Sequence, residues 1–90
     1  MAKKGSRTEK IDVWEGEYKK LGNRIKTIRI AQGFTSAEAF SNERGLSRAQ
    51  YAKYENGKNL QYSNLLYVVE ALNVSLMEFF GDDFKDSPKV

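Results

Sequence analysis

The most informative part of the sequence is Thr35–Lys58, which reads TSAEAFSNERGLSRAQYAKYENGK. It contains two helix-start patterns, in which a Ser or Thr is followed three residues later by Glu or Gln, at Thr35–Glu38 and Ser47–Gln50. Apolar residues follow each pattern at helical spacing. The stretch therefore predicts two short helices, at about 35–43 and 47–55.

The connection between these two helices is Arg44-Gly45-Leu46. Glycine allows an unusual backbone angle there, and Leu46 is placed to fill the core. A turn this short holds two helices at a steep angle, which is the arrangement of a helix-turn-helix. In that motif the second helix enters the major groove of DNA.

An apolar stripe precedes the motif and predicts a helix. We expect this helix to cover residues 20–32, with either an extension back to about residue 9 or a break near Gly16 or Gly22, and to end at Gly33. We expect Trp14 and Tyr18, the two aromatic members of the stripe, to pack on the core, with a dimer contact as the alternative. The stripe consists of Ile11, Trp14, Tyr18, Leu21, Ile25 and Ile28.

Two more helices are predicted after the motif. The segment Leu65–Leu72 is apolar enough for a helix buried on most of its surface, and Ser75–Glu78 repeats the helix-start pattern. Of the aromatic residues Phe79, Phe80 and Phe84, we expect one or two in the core and any surplus in a self-association patch. The fold class is therefore all-α, a compact bundle of about five helices. We expect a basic flexible segment at 1–8, a folded domain at 9–84 and a tail at 85–90.

The composition narrows the function classes. The 90 residues are 40% hydrophobic and 30% charged, and they include no Cys and no His. Disulfides, thiolate zinc sites and imidazole or thiol catalysis are therefore excluded. Since the acidic residues are also scattered and no Gly-rich phosphate loop follows a strand, we expect neither an enzyme nor a cofactor. No apolar run is long enough to span a membrane. Residues 1–58 carry a net charge of +6 and residues 59–90 a net charge of −3. This asymmetry indicates either a polyanion partner for one face or a solvated surface with uneven charge.

From Leu21 to about Phe84, the chain resembles the Xre/Cro/C1-type helix-turn-helix family of bacterial and phage regulators. This resemblance implies a lambda-repressor-like fold, sequence-specific binding to double-stranded DNA, a homodimer and a cytoplasmic location. The motifs that carry it are Arg24-Ile25-Lys26-Thr27-Ile28-Arg29, Gly33-Phe34-Thr35, Ala39-Phe40-Ser41, Gly45-Leu46-Ser47-Arg48, Tyr54-Glu55-Asn56-Gly57-Lys58 and Leu72–Phe80.

The chain departs from the family pattern in the first motif helix. The family usually has Gln at its start, where it donates to a phosphate, and this chain has Ala37. Ser36 or backbone amides at the helix start are the substitutes we expect. Ser41, Arg44 and Tyr51 also replace customary apolar residues, and they suggest slightly wider packing between the helices.

The predicted DNA-contacting residues follow from the helix over 47–55. If Leu46, Tyr51 and Tyr54 face the core, the positions left to face the groove are Arg48, Ala49, Ala52 and Lys53. Arg48 is the main candidate for reading a base, since a guanidinium can bond both O6 and N7 of guanine. The two alanines allow close approach and contact with a thymine methyl group. Lys53 either reads a guanine or binds phosphate. Ser47 and Gln50 can cap the helix and contact oxygens of the DNA backbone.

The resemblance implies two further roles. Asn56 and Lys58, in the turn after the second motif helix, are expected to contact phosphates. Glu55 is expected to pair with Arg29 on the first helix and so orient the second motif helix, and the sequence leaves open whether that pair is buried.

Two functional hypotheses remain. The leading one is a DNA-binding transcriptional regulator that acts as a homodimer. The alternative is a protein-binding module of the same fold, such as an antitoxin or adaptor, that uses the acidic aromatic end. The basic residues of the amino-terminal segment are either an arm along DNA or a solubilising tail.

Overall fold

The computed structural model describes the backbone of residues 2–87 and the side chains of residues 14–87. Within this range the protein has five α-helices, a terminal 3₁₀ helix and no strand, so the predicted all-α class is confirmed. The α-helices are α1 (Ala2–Ala31), α2 (Ala37–Arg44), α3 (Arg48–Glu55), α4 (Tyr62–Ala71) and α5 (Leu76–Phe80), and the 3₁₀ helix is Gly81–Phe84.

Helix α1 is one continuous helix of 30 residues. It passes through Gly16 and Gly22 without interruption, so the alternative of a break at either residue is wrong. Its backbone also includes residues 2–8, where the sequence predicted a flexible segment. The predicted end is confirmed, because Gly33 follows α1 with a φ of 96° and its amide donates to the carbonyl of Ile30 at 2.9 Å.

The core draws on every α-helix. Trp14 is 36% exposed and Tyr18 is half-buried, and both lie outside the core cluster. The prediction that these two pack on the core is therefore wrong. The buried core residues are Ile25, Ile28, Phe40, Tyr51, Leu65, Val68, Val69, Leu72 and Phe79.

Helix α4 has a buried face and an exposed apolar face. Leu65, Val68 and Val69 are buried as predicted. On the opposite side, however, Leu66 is 40% and Tyr67 63% exposed. The prediction of a helix buried on most of its surface is thus wrong for this face, since few described residues cover it.

The aromatic cluster near the carboxyl terminus packs within the molecule. Phe79 is fully buried, while Phe80 and Phe84 are half-buried and stack edge to face with a centroid distance of 4.9 Å. Lys20 lies over the Phe84 ring, and Arg24 donates to the backbone carbonyls that end α5. The self-association patch expected from a surplus aromatic is therefore largely occupied by contacts with α1.

The start of the predicted tail also contacts α1. Ser87 is half-buried, and its hydroxyl donates to Glu17 and accepts from Lys20. The predicted tail 85–90 thus includes a residue, Ser87, that contacts the folded body. Its last three residues lie outside the described range.

Candidate nucleic-acid interface

The turn between α2 and α3 positions the second helix. Gly45 follows α2 with a φ of 72°, in the left-handed region that favours glycine. The amide of Leu46 then donates to the carbonyl of Ser41 at 2.9 Å, and Leu46 packs against the core. Ser47 begins the next helix at once, as its hydroxyl accepts from the amide of Gln50 at 3.4 Å. The bend and the cap predicted from the sequence are confirmed.

The cap of α2 differs by one residue from the prediction. Ser36, not Thr35, is the N-cap, and its hydroxyl accepts from the amide of Ala39 at 3.0 Å. The predicted pairing of Thr35 with Glu38 as a capping box is therefore wrong. Because Ser36 uses its oxygen as an acceptor, its hydroxyl proton remains available to a phosphate.

Helix α3 turns the predicted residues outward. Arg48, Ala49 and Lys53 are exposed and Ala52 is half-buried, whereas Tyr51 points inward and is 1% exposed. Ser47 and Gln50 are also exposed, and Gln50 accepts a hydrogen bond from the Tyr54 hydroxyl at 3.4 Å. The exposed face of α3 has the small and cationic character that close approach to DNA requires. Its contact with DNA stays a prediction.

A buried ion pair fixes α3 against α1. Arg29 Nε lies 2.6 Å from Glu55 Oε2, and Arg29 Nη2 lies 3.2 Å from Glu55 Oε1. Their side chains are only 4% and 8% exposed, so the question left open by the sequence is answered in favour of burial. The Arg29 guanidinium also donates to the carbonyl of Phe34 at 2.6 Å, and the hydrogen bond with Glu55 raises the pKa of Arg29. The predicted pair is confirmed.

Two glycines bring α1 close to the end of α3. A Cβ at Gly22 would lie 2.6 Å from the backbone oxygens of Tyr54 and Glu55, and a Cβ at Gly57 would lie 2.8 Å from Lys19 Cγ. Gly57 also has a φ of 87°, and it directly follows Asn56, the residue that caps the end of α3. Helix α3 is thus seated directly on the backbone of α1.

A family comparison agrees with this geometry. A profile of the helix-turn-helix domain family matches residues 22–83, well over half of the 90 residues. The chain belongs to the helix-turn-helix domain family. The resemblance predicted over residues 21–84 is thereby confirmed. Comparisons with curated proteins and with solved structures found no match.

The helix-turn-helix family is, as a class, a DNA-binding module rather than an enzyme. In the described part of this domain, no three or more Asp, Glu, His or Cys side chains are grouped to hold a metal ion. None of its described helices has the length and apolar character needed to cross a membrane.

The helix-turn-helix domain has more cations near α3 than the motif alone predicted. A polar groove of about 300 Å³ lies between α1 and the end of α3, lined by Lys19, Asn23, Lys26, Glu55 and Asn56. The α1 residues of the groove follow helical spacing on one face. Sequence reasoning missed the two lysines as site residues, because only the crossing of α1 and α3 brings them beside the predicted phosphate-binding turn.

Ion pairing leaves the excess positive charge at this same end of the domain. Among residues 14–87, ion pairs neutralise Lys20, Arg24 and Lys85 with Glu17, Asp83 and Asp82. Within that range, no ion pair is formed by Lys19, Lys26, Lys53 or Lys58. These four cations are available to a polyanion.

Proposed function

We propose that the protein is a sequence-specific, double-stranded-DNA-binding transcriptional regulator with α3 in the major groove. One observation carries the proposal: the exposed face of α3 displays Arg48, Ala49 and Lys53, while a buried ion pair at its other end ties it to α1. A rigid helix with an exposed, partly cationic amino-terminal end suits insertion into the groove.

Base reading falls to the amino-terminal half of α3. Arg48 bonds O6 and N7 of a guanine, and such a bidentate pair contributes about 1–3 kcal/mol of discrimination. Ala49 and Ala52 let the helix approach and contact a thymine methyl group. Lys53, one turn further on, reads a second guanine or binds phosphate.

The proposed phosphate contacts lie on both sides of the DNA major groove that α3 enters. Ser36, Ser47 and Gln50 lie at the helix starts, where amide groups also favour anions. Asn56 and Lys58 lie in the turn after α3, beside the lysines of the α1 groove. These contacts fix the register of the protein on the duplex and supply sequence-independent affinity.

We further propose a homodimer on a near-palindromic site in the cytoplasm, as in the regulators that the sequence resembles. Its two recognition helices would enter successive major grooves about 34–36 Å apart. Sedimentation of the protein with and without a palindromic duplex measures this. Two protomers on each duplex are expected, and a single protomer per full site contradicts the dimer.

Selection from a random duplex pool tests the main proposal. The full chain should enrich a consensus that contains a guanine under Arg48. Arg48→Ala should then lose about 1–3 kcal/mol of affinity, with relaxed preference at that base pair alone. Lys85→Ala, which removes a cation at the 3₁₀ helix, is the matched control and should select the wild-type consensus. Equal, negligible affinity for all sequences at low salt contradicts the proposal.

A protein-binding role is the second candidate, and the exposed apolar side of α4 favours it. Tyr62 and Tyr67 are each 63% exposed and Leu66 is 40% exposed. Under this alternative, substitution of Tyr67 by Lys would abolish partner binding and Arg48→Ala would have no effect. Loss of DNA affinity in Arg48→Ala, with unchanged DNA affinity in Tyr67→Lys, supports the regulator.

A further inference from the structure

The side chain proposed to read a base is already held by an acid on the neighbouring helix. Arg48 Nη1 lies 2.5 Å from Glu38 Oε2, and the two side chains are 63% and 59% exposed. Glu38 lies in the first turn of α2 and Arg48 in the first turn of α3. The pair therefore bridges the starts of the two motif helices, on the surface proposed to face DNA.

Fold stability does not account for this pair. Ion pairs between such exposed side chains contribute little to stability, because water and salt screen them. The buried Arg29–Glu55 pair already ties α3 to the rest of the domain. Glu38 therefore acts mainly on the position of the Arg48 side chain and on the charge around it.

The two helix starts affect the two charges differently. The amino-terminal end of a helix carries partial positive charge, which favours Glu38 in α2 and disfavours Arg48 in α3. The carboxylate therefore compensates for the cation at the start of α3. It also places a negative charge beside Arg48, where a DNA phosphate would otherwise be attracted.

The remaining donors of Arg48 match a base edge. Glu38 uses Nη1, and within residues 14–87 no hydrogen bond is made by Nε or Nη2. A guanidinium has five N–H donors in a planar fork, so two N–H groups stay available for O6 and N7 of guanine. A phosphate gains less from this arrangement, since the nearby carboxylate repels it.

We propose that Glu38 is a specificity-determining residue that positions Arg48 for guanine and discourages its capture by phosphates. This inference rests on the proposed function. It assigns to an acid on α2, which does not itself need to touch a base, part of the sequence discrimination of α3.

The experiment compares Glu38→Gln with Glu43→Gln. Glu43 is an exposed residue of the same helix and forms no ion pair among residues 14–87. Each substitution removes one negative charge, so the two variants have the same net charge. Affinity is measured for the selected duplex, for the same duplex with the guanine replaced, and for random duplex, each at several salt concentrations. Thermal unfolding is measured in parallel.

Glu38→Gln is expected to lower the preference for guanine by about 5-fold, the lower end of the contribution of a bidentate pair. Its binding to random duplex should tighten, with a salt slope steeper by about one counterion, because Arg48 is freed for a phosphate. Glu43→Gln should keep the wild-type preference, and both variants should unfold within a few degrees of the wild-type temperature, since each changes one charge at a helix end. In an Arg48→Ala background the specific effect of Glu38→Gln should disappear.

Equal behaviour of the two variants, in a protein that does prefer its selected duplex, overturns the role of Glu38 and leaves the proposed function intact. Persistence of the Glu38→Gln effect without Arg48 also overturns it. Absence of any sequence preference in the unsubstituted protein overturns the proposed function and, with it, this inference.

Discussion

The Arg29 guanidinium is almost completely buried and shares two N–O contacts with the carboxylate of Glu55. A buried charge is tolerated only while its partner is present, because desolvation is otherwise uncompensated. These two residues connect α1 to the last residue of α3. This pair acts together with the close packing at Gly22 to hold α3 in place on α1.

Loss of one partner should be costly. Arg29→Met leaves Glu55 buried without its cation and should lower the free energy of unfolding by about 3–5 kcal/mol. Urea denaturation followed by circular dichroism measures the loss. Lys85→Met, which removes a cation from an exposed pair, is the control and should unfold near the wild-type midpoint. Similar midpoints for the two variants would show that the buried pair does not stabilise the domain.

Tyr51 makes the core sensitive to alkaline pH. Burial raises the pKa of its phenol above the ordinary value of 10, and the nearby Glu55 carboxylate adds to the increase. Above pH 10 the unfolded chain therefore loses this proton first, so the stability contributed by Tyr51 is present below pH 10 and is lost as pH rises further.

Tyr51→Phe should weaken this pH dependence. The buried hydroxyl has no hydrogen-bond partner among the described residues, so its removal should change stability at pH 7 by less than about 1 kcal/mol. Between pH 9 and 11, the urea midpoint of the variant should fall less than that of the wild type. Parallel loss in both proteins would contradict the assignment to Tyr51.

At the scale of the elements, the contact between α1 and α3 depends on Gly22. A Cβ there would lie 2.6 Å from backbone oxygens of α3, and backbone atoms cannot move aside as a flexible side chain can. From the sequence, Gly22 is a candidate break in the first helix. In the structure it allows α1 and α3 to meet.

A pair of glycine substitutions separates these two effects. Gly22→Ala should destabilise the domain by about 1–3 kcal/mol, as expected for overpacking, despite the better helix propensity of alanine. Gly16→Ala, at a position with nothing within 4 Å of the added Cβ, should stabilise α1 by up to about 1 kcal/mol. Thermal unfolding of both variants checks the prediction. Stabilisation by both substitutions would contradict the close approach of α1 and α3 at Gly22.

The elements differ in how far the sequence predicts them. Ser47, Gly45 and Gly33 act through local backbone geometry, and the sequence therefore predicts the starts and ends that they mark. The Glu38–Arg48 contact and the α1 groove depend on how separate helices cross, which no local pattern encodes. Trp14 follows the periodicity of a core residue but is 36% exposed, because periodicity predicts the helix face on which a residue lies and not what packs against that face.

At the scale of the whole molecule, ion pairing divides the charges. Arg24 of α1 pairs with Asp83 of the acidic carboxyl-terminal part, and Lys20 pairs with Glu17 of α1 itself. The lysines around α3 form no ion pair among the described residues. The net charge of +3 alone understates the positive potential of the proposed DNA face. Binding should accordingly weaken steeply as salt displaces the protein from phosphates.

The lysines of the groove and the turn should contribute equally to all sequences. Lys58→Ala and Lys26→Ala should each weaken binding to selected and random duplexes by a similar factor and reduce the salt slope by about one. Lys85→Ala should leave the slope unchanged. Titrations at several salt concentrations measure the slopes. A loss confined to the selected duplex would mean that these lysines read bases instead.

The exposed face of α3 is proposed to enter the major groove. This proposal is tested most directly by amide chemical shifts of the ¹⁵N-labelled full chain during titration with its selected duplex. The largest changes are expected over residues 47–58, with smaller changes at Lys19 and Lys26 and little change on α4. Large changes on α4 with unchanged shifts at Arg48, Ala49 and Lys53 would contradict the proposal.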